Sequence, residues 1–205
     1  MKKTLINIII FMIILSTKVC AVELNEDNIL VPSAIMIEIN SNKILYEKNS
    51  SKKMYPASLT KIMTAIIVLE NCSLLEKTKV SYNAISNIPN GYETANLIVD
   101  EVLTIEELIN MMLIQSANDA ANVLAEHIAN SIESFVSLMN TKAYKLGCKN
   151  THFTNPYGLH DENHYSTAYD LYLISKHAMQ NDIFKNIVRK RSYTVQPTNK
   201  TAKER

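Results

Sequence analysis

Glycine is scarce in this chain and tryptophan is absent: the 205 residues contain only three glycines, Gly91, Gly147 and Gly158, and no tryptophan. Phosphate-binding loops need several glycines within a few residues, because the backbone must approach the phosphates closely. The three glycines lie far from one another in the sequence. A glycine-rich nucleotide-binding loop is therefore excluded.

Cysteine is equally scarce, and its spacing fits no common metal or redox motif. Cys72 and Cys148 are far apart and neither belongs to a Cys-x-x-Cys pair, so a zinc ribbon and a thioredoxin-like site are not expected. We expect ordinary, partly buried thiols. Export would permit a disulfide, and the sequence leaves that pairing open. We expect neither a metal ligand nor a cofactor.

Residues 1–21 have the pattern of a secretory signal peptide. Lys2 and Lys3 precede an apolar run over 5–15, and small or modest side chains lead up to Ala21. The apolar run is shorter than the ~20 residues that cross a bilayer comfortably, although an uncleaved anchor is the alternative. We expect cleavage after Ala21 and a mature protein that is extracellular or lies at the cell wall, on the outer face of the cytoplasmic membrane.

The charge of the mature chain argues against nucleic-acid binding. Cleavage would remove Lys2, Lys3 and Lys18 from the 21 basic residues and leave 18, against 20 acidic residues, a formal charge of −2. Nucleic-acid-binding proteins need an excess of positive charge to neutralise phosphates. We expect no nucleic-acid partner.

The hydrophobic pattern predicts a β-hairpin followed by a block of helices. Apolar and polar side chains alternate over 33–48, around a polar turn at 40–42. Helical spacing then indicates helices over 58–69, 104–114, 119–129, 131–145 and 167–179. Three of them have a predicted capping residue at the start: Thr104 (in a capping box with Glu107), Ser131 and Thr167. A further strand is predicted at Tyr193–Val195. This order predicts an α+β fold.

Ser58 and Lys61 are the first candidates for catalysis. A spacing of three on a helix brings two side chains to the same face, about one turn apart. A lysine whose pKa is lowered by burial can take the proton of a serine nucleophile. The pattern alone is weak, because Ser50 and Lys53 repeat it. Context favours Ser58, since it begins an apolar helix whereas Ser50 lies in a polar run.

Ser116 and Asn118 are the second candidates, between two predicted helices. A serine hydroxyl in this loop can relay a proton, and an asparagine can hold a substrate amide. Ser81 and Asn83 have the same spacing. By itself the pattern therefore also fits a loop that ends a helix with capping side chains.

Together the two motifs are far more specific. An SxxK at a helix start, followed by an SxN in an interhelical loop, is typical of the penicillin-recognising serine enzymes. The flanking segments resemble the D-alanyl-D-alanine carboxypeptidases, which are low-molecular-mass penicillin-binding proteins. The likeness covers roughly residues 28–205, and its strongest segments are 55–65, 116–121, 146–153, 155–160 and 193–200.

The resemblance implies a penicillin-binding/β-lactamase-like transpeptidase fold for residues 22–205, an incomplete catalytic domain. It implies that Ser58 attacks the carbonyl between two D-alanines and that Lys61 takes its proton. Ser116 would pass the proton to the leaving D-alanine, and Asn118 would bind the substrate amide and orient Lys61. The implied substrates are peptidoglycan stem peptides, and the implied inhibitors are β-lactam antibiotics.

The family's third motif, Lys-Thr-Gly, has no counterpart here, since the three glycines follow Asn90, Leu146 and Tyr157. In the family this motif binds the substrate carboxylate, and its strand supplies half of the oxyanion hole. We expect the C-terminal sheet strands to be missing from this chain, and an apolar helix face to be uncovered. We also expect little carboxypeptidase activity from the chain alone, and membrane contact only through a missing C-terminal helix.

Three alternatives stay open. A class A β-lactamase is disfavoured, because no Glu-x-x-Asn follows Asn118. A metal hydrolase could use His160 and His164, but their segment has the composition of a loop and lacks His-Glu-x-x-His. A catalytically impaired remnant, or a fragment that binds penicillin or a muropeptide without turnover, would account for the missing third motif.

Overall fold

The structure is a computed structural model that describes residues 29–205. The signal peptide predicted for residues 1–21 lies outside the described residues. Pro32–Arg205 forms one compact unit. In the described part of the chain, no helix is long and apolar enough to cross a membrane.

The predicted N-terminal hairpin is confirmed. Strand β1 (Ala34–Ile37) pairs antiparallel with β2 (Ile44–Lys48), with a register irregularity near the turn. Two contacts shape the turn: Asn42 adopts a left-handed φ of 55°, and the Glu38 carboxylate accepts backbone N–H bonds from the turn residues. No strand residue of this hairpin is fully buried.

The helix predicted from Ser58 begins as a tighter turn. Ala57–Leu59 forms one turn of 3₁₀-helix, and α1 (Thr60–Asn71) continues it. Helix α1 is the central helix of the described residues, because five of the six other helices there pack against it. Its apolar side chains are therefore buried on several faces, as at Met63 and Val68.

A second small sheet follows. Strand β3 (Lys77–Lys79) pairs antiparallel with β4 (Val102–Thr104), and the short α2 (Tyr82–Ser86) lies between them in sequence. The described residues therefore contain two small two-stranded sheets. Strands of three residues are too short to give a readable alternation, which explains why this pairing was not predicted.

Three predicted helices come next and are confirmed: α3 (Ile105–Ile114), α4 (Asn118–Ala129) and α5 (Ile132–Lys145). Thr104 forms the predicted capping box of α3, in which its hydroxyl accepts from the Glu107 N–H while the Glu107 carboxylate accepts from the Thr104 N–H. The Ser131 hydroxyl caps α5. Local sequence signals therefore determine where these helices begin.

The last two helices are α6 (Ala168–Ala178) and α7 (Asp182–Val188). The predicted Thr167 cap of α6 is confirmed. Helix α7 was not predicted, since seven residues give a poor periodic signal. Its start is nonetheless encoded by Asn181, whose side-chain carbonyl accepts two backbone N–H bonds.

The strand predicted at Tyr193–Val195 is wrong. Only Val195 pairs, and it exchanges two backbone hydrogen bonds with Arg205. No other strand of the described residues lies beside this segment, so one pair of bonds does not extend into a ladder. Side chains dock the segment instead: buried Glu101 accepts from Arg205 at 2.5 Å and from Thr198 at 2.6 Å.

The capping box of α3 gives a test of the fold. Thr104→Ala should lower the free energy of unfolding by about 1 kcal/mol, because the Glu107 N–H loses its acceptor. Urea denaturation measures this change. Thr104→Ser keeps the hydroxyl and should retain most of the stability. Equal stability of Thr104→Ala and the wild type would contradict the assigned cap.

Candidate active site

Ser58 lies in the 3₁₀ turn that opens α1. The residue before it, Ala57, has a left-handed φ of 48°, which is uncommon for a residue with a side chain. The turn is closed by the Leu59 N–H, which donates to the Pro56 carbonyl at 3.1 Å. The strained turn leaves the Ser58 side chain exposed at the start of the helix. Such strain is common at functional sites.

Lys61 lies one turn further along and is buried, with 3% of its surface exposed. Its Nζ lies 3.3 Å from Ser58 Oγ and 3.0 Å from the Tyr157 carbonyl oxygen. No carboxylate is among these partners. Burial lowers the pKa of Lys61 from 10.5 to about 8. A substantial fraction of the amine is therefore neutral at mildly alkaline pH and can accept a proton.

Ser116 reaches the same serine from the loop between α3 and α4. Its hydroxyl donates to Ser58 Oγ at 3.1 Å, and its backbone is left-handed with φ 63°. Ser58 Oγ is therefore in contact with both Lys61 and Ser116. The three residues form one continuous hydrogen-bonded group, although Ser58 and Ser116 are 58 positions apart in the sequence.

Asn118 is the first residue of α4 and is 5% exposed. Its backbone N–H donates to the Glu93 carbonyl at 2.9 Å. Within residues 29–205 the hydrogen bonds of Lys61 go to Ser58 and Tyr157, so no hydrogen bond joins Asn118 to Lys61. The sequence analysis missed the Tyr157 carbonyl, since a backbone acceptor has no residue-type signal.

Asp119 fixes the loop that faces the start of α4. Its two carboxylate oxygens accept from the Ala95 N–H at 2.9 Å and from the Leu97 N–H at 3.0 Å. An acid in the first turn also suits the positive end of a helix. The structure adds that the acid joins two segments and holds the chain beside Ser116 in place.

Asn155 organises the loop that presents the Tyr157 carbonyl. Its side-chain oxygen accepts from the Gly158 N–H at 2.7 Å and from the Leu159 N–H at 2.9 Å. Thr64 of α1 donates to the Pro156 carbonyl at 2.5 Å. The loop is therefore hydrogen-bonded both within itself and to the helix that carries Lys61.

Position 158 has no room for any side chain. It has φ +95°, and a Cβ there would lie 1.9 Å from the Ala57 carbonyl oxygen. The loop backbone thus packs directly against the residue before the nucleophile. This close approach requires glycine at position 158.

His164 fastens the same loop to the start of α1. It is 2% exposed, its Nε2 lies 2.8 Å from Thr60 Oγ1, and its Nδ1 accepts from the Thr154 N–H at 3.1 Å. An Nδ1 that accepts is unprotonated, so Nε2 carries the proton and donates to Thr60. Burial lowers the pKa of His164 to about 4, which keeps the ring neutral at pH 7.

The repeated copies of both motifs lie elsewhere. The Ser50 hydroxyl donates to Glu47, and the Lys53 amine lies 4.0 Å from the centre of the Tyr165 ring. The Ser81 hydroxyl caps α2 and donates to a glutamate of α4. Neither copy brings its residues into contact with Ser58. The structure thus distinguishes the two pairs that the sequence could separate only by context.

The two histidines of the metal-hydrolase alternative do not converge. His160 packs edge-on against Tyr55 with ring centroids 4.4 Å apart. Both nitrogens of His164 are engaged by Thr60 and Thr154. The two rings therefore lack a shared ligand position, and this alternative loses its geometric basis.

A groove of about 400 Å³ runs past the three catalytic candidates. Ser58, Lys61 and Ser116 form the polar part of its lining, and the rest of its lining is largely apolar. The apolar lining comes from Leu59, Ile62, Met112, Leu113, Phe184 and Val188. The groove can accommodate a small extended molecule with an acyl group at the serine.

Comparison with known proteins identifies the class. Residues 20–204 match the family model of the D-alanyl-D-alanine carboxypeptidases, peptidase family S11. The chain is 40% identical over 153 residues to the D-alanyl-D-alanine carboxypeptidase DacF of Bacillus subtilis. The aligned region covers 72% of this chain and 39% of DacF. It is 33% identical over 151 residues to the D-alanyl-D-alanine carboxypeptidase DacA of Haemophilus influenzae, and this alignment covers 71% of the chain and 38% of DacA.

Solved structures show the same fold. Penicillin binding protein 5 of Haemophilus influenzae matches with a TM-score of 0.79 and 29% identity, over 85% of this chain and 52% of that chain. The Streptomyces K15 DD-transpeptidase matches with a TM-score of 0.76 and 32% identity, over 82% of this chain and 67% of the transpeptidase chain.

The chain therefore belongs to the D-alanyl-D-alanine carboxypeptidase family, and its fold is that of the penicillin-binding proteins and DD-transpeptidases. It spans about two fifths of the length of the curated relatives named above.

Gly158→Ala tests the contact between the loop and the nucleophile turn. The added methyl must displace the Ala57 carbonyl and also accept a positive φ, so the free energy of unfolding should fall by about 2–4 kcal/mol. Gly91→Ala is the matched control, because Gly91 has φ +89° but no atom within 4 Å of the added Cβ. The control should cost about 1–2 kcal/mol. Equal losses in both variants would contradict the proposed contact.

His164 predicts a pH dependence of stability. The unfolded chain binds a proton at His164 below about pH 6.5, whereas the folded chain does so only below about 4. Stability should therefore fall as the pH is lowered through this window, by about 2 kcal/mol between pH 7 and pH 4.5. Urea denaturation at both pH values measures it. His164→Gln should reduce this difference, and His160→Gln, at an exposed ring, should preserve it. An unchanged difference in His164→Gln would refute the assignment.

Proposed function

We propose that the protein is a serine-type D-alanyl-D-alanine carboxypeptidase that removes the terminal D-alanine from peptidoglycan stem pentapeptides through an acyl-serine intermediate. The observation that carries this proposal is the contact of Ser58 Oγ with both the buried amine of Lys61 and the hydroxyl of Ser116. These residues occupy the SxxK and SxN motifs that penicillin-recognising serine enzymes use.

Acylation begins with proton transfer from Ser58 to Lys61. With its pKa lowered to about 8, roughly a tenth of the Lys61 amine is neutral at pH 7. The neutral amine accepts the hydroxyl proton as Ser58 Oγ attacks the carbonyl carbon between the two D-alanines. The Tyr157 carbonyl then stabilises the resulting ammonium, since it already accepts from Nζ at 3.0 Å. Backbone N–H groups at the start of the helix suit the developing oxyanion.

Breakdown of the tetrahedral intermediate requires a proton on the leaving amine. Ser116 contacts Ser58 Oγ at 3.1 Å and can donate its own proton to the leaving nitrogen. Because Lys61 and Ser116 both contact Ser58 Oγ, the proton that Lys61 took from Ser58 can then restore the Ser116 hydroxyl. The D-alanine departs as a neutral amine, and the acyl group stays on Ser58. Water then attacks the ester and releases the shortened peptide. We assign Asn118, at the start of α4, to binding of the substrate amide.

β-Lactams are the proposed inhibitors, because they present a reactive amide to the same serine. The match to penicillin binding protein 5 supports this assignment. The substrate lies in the cell wall, so we also propose an exported protein, in agreement with the signal peptide predicted for residues 1–21. No cofactor takes part in the proposed reaction.

The Lys-Thr-Gly motif of the family is absent from these 205 residues. Its strand would supply an oxyanion donor, and removal of one such donor typically lowers the rate by about 10²–10³. We therefore propose that these 205 residues alone turn over stem peptides far more slowly than complete members of the family. A fragment that binds muropeptides or penicillin without turnover is one alternative, and a class A β-lactamase is a less favoured one.

Penicillin labelling tests the nucleophile. The protein should form a covalent adduct with a fluorescent penicillin, and Ser58→Ala should abolish it. Lys61→Met should slow acylation by about 10²–10⁴, the usual contribution of a general base. Lys53→Ala is the matched control from the second SxxK copy and should label like the wild type. A full-strength adduct in Ser58→Ala would refute the assignment.

The same reaction should depend on pH. The rate of acylation by penicillin should rise about 50-fold between pH 6 and pH 8, because the neutral fraction of Lys61 rises from about 1% to about one half. It should level off above pH 8. Stopped-flow measurement of acylation gives this profile, and a rate independent of pH over this range would contradict Lys61 as the base.

The leaving group distinguishes the carboxypeptidase from related activities. One relative, the D-alanyl-D-alanine endopeptidase of Escherichia coli, is 34% identical over 140 residues, which are 68% of this chain and 44% of that protein. Release of D-alanine from a pentapeptide, measured by chromatography, supports the carboxypeptidase. Cleavage of a cross-linked muropeptide dimer with no release of D-alanine would favour the endopeptidase instead.

A further inference from the structure

Three potential metal ligands come together at the end of the helical block opposite the catalytic candidates. Cys72 is the C-cap of α1, Glu76 lies just before β3, and His127 is in the last turn of α4. The Cys72 sulfur, a Glu76 carboxylate oxygen and a His127 ring nitrogen all lie within 4.8 Å of one another.

The Glu76 carboxylate is already oriented toward this cluster. One oxygen accepts from the Ser73 N–H at 2.5 Å, and the other lies 3.3 Å from His127 Nε2. Burial, and after it the charge of Glu76, raises the pKa of the Cys72 thiol, which agrees with a carboxylate near the sulfur. The three side chains thus face a common point.

The donor set and its spacing fit a borderline-soft divalent cation. Bond lengths of about 2.3 Å to sulfur and 2.0–2.1 Å to nitrogen and oxygen place tetrahedral zinc ligands roughly 3.3–3.6 Å apart. The three donor atoms all lie within 4.8 Å of one another, so side-chain movements of about 1 Å would close the site. Magnesium and calcium prefer oxygen ligands alone, which a thiol and an imidazole do not provide.

We propose that Cys72, Glu76 and His127 bind Zn²⁺, with the fourth position left to water. The site is structural and is separate from the serine chemistry. It revises the expectation of no metal ligand, which rested on the absence of a sequence motif. The three residues come from three separate elements and show no recognisable spacing, so the sequence gives no signal for such a site.

The position of the site explains what the cation would do. Helices α1 and α4 each have 12 residues, about 18 Å in length. Each begins beside a catalytic candidate, Ser58 or Ser116, and ends at this cluster. The Glu76 carbonyl also accepts from the N–H of Ile105, the first residue of α3, at 2.9 Å. A bound cation would join the far ends of two helices that carry the active-site groups and would stabilise the folded state.

An ion pair between Glu76 and His127, with a thiol nearby by chance, is the competing explanation. His177 of α6 and Glu70 of α1 form a similar pair, with 2.8 Å between the histidine Nε2 and a carboxylate oxygen, and this pair includes no cysteine. This second pair provides a control, because it shares the ion-pair chemistry but lacks the thiolate ligand.

The test is a titration of the reduced protein with Zn²⁺ by isothermal calorimetry, followed by replacement with Co²⁺. We expect one ion per chain, a thiolate-to-cobalt absorption band and a higher melting temperature with zinc. Cys72→Ser, His127→Gln and Glu76→Gln should each weaken binding by at least about tenfold. Cys148→Ser and His177→Gln should leave the affinity unchanged.

Melting curves without metal show whether each variant is folded, and His127→Gln and Glu76→Gln alter side chains that are partly exposed. Absence of zinc binding to the wild type would overturn the proposal. So would an affinity and a cobalt spectrum that stay unchanged in Cys72→Ser. A full-strength penicillin adduct in Ser58→Ala would refute the serine mechanism but would have no bearing on zinc binding, so the two proposals fail independently.

Discussion

The buried amine of Lys61 is the constraint on which the rest of the site depends. A lysine that is 3% exposed would cost considerable free energy as a charged group, and its hydrogen bonds within residues 29–205 go only to Ser58 and the Tyr157 carbonyl. Burial therefore favours the neutral form and makes the amine a base. The buried amine also needs an acceptor for its N–H, and the Tyr157 carbonyl, held in place by the loop around Asn155, is that acceptor.

The starts of two helices position the catalytic candidates. Helix α1 begins at the nucleophile turn, α4 begins just after Ser116, and both are packed in the core along most of their length. The loop at 155–158 is then bonded to α1 through Thr64 and packed against Ala57 through Gly158. The strained turn at Ala57 is retained because helix and loop hold it from both sides. The zinc site that we propose would hold the opposite ends of the same two helices.

Much of this arrangement could be predicted from the sequence, for identifiable reasons. Caps at Thr104, Ser131 and Thr167 are local signals, and they located three helix starts. The SxxK and SxN motifs selected Ser58, Lys61 and Ser116, and the structure brings these three residues together. The proposed zinc ligands and the docking of Glu101 onto Arg205 escaped prediction, because they join segments that are distant in sequence and carry no motif. The strand at Tyr193–Val195 failed because strand formation depends on a neighbouring strand, which sequence alternation does not report.

The pKa of Lys61 is the most direct test of this account. Nuclear magnetic resonance of lysine amines, with the signal assigned by its absence in Lys61→Met, gives the titration of this one group. The account predicts a midpoint near pH 8, well below the ordinary value of 10.5. A midpoint near 10.5 would mean that the amine is charged throughout the physiological range. In that case Lys61 could not serve as the base for Ser58, and the proposed mechanism would be wrong.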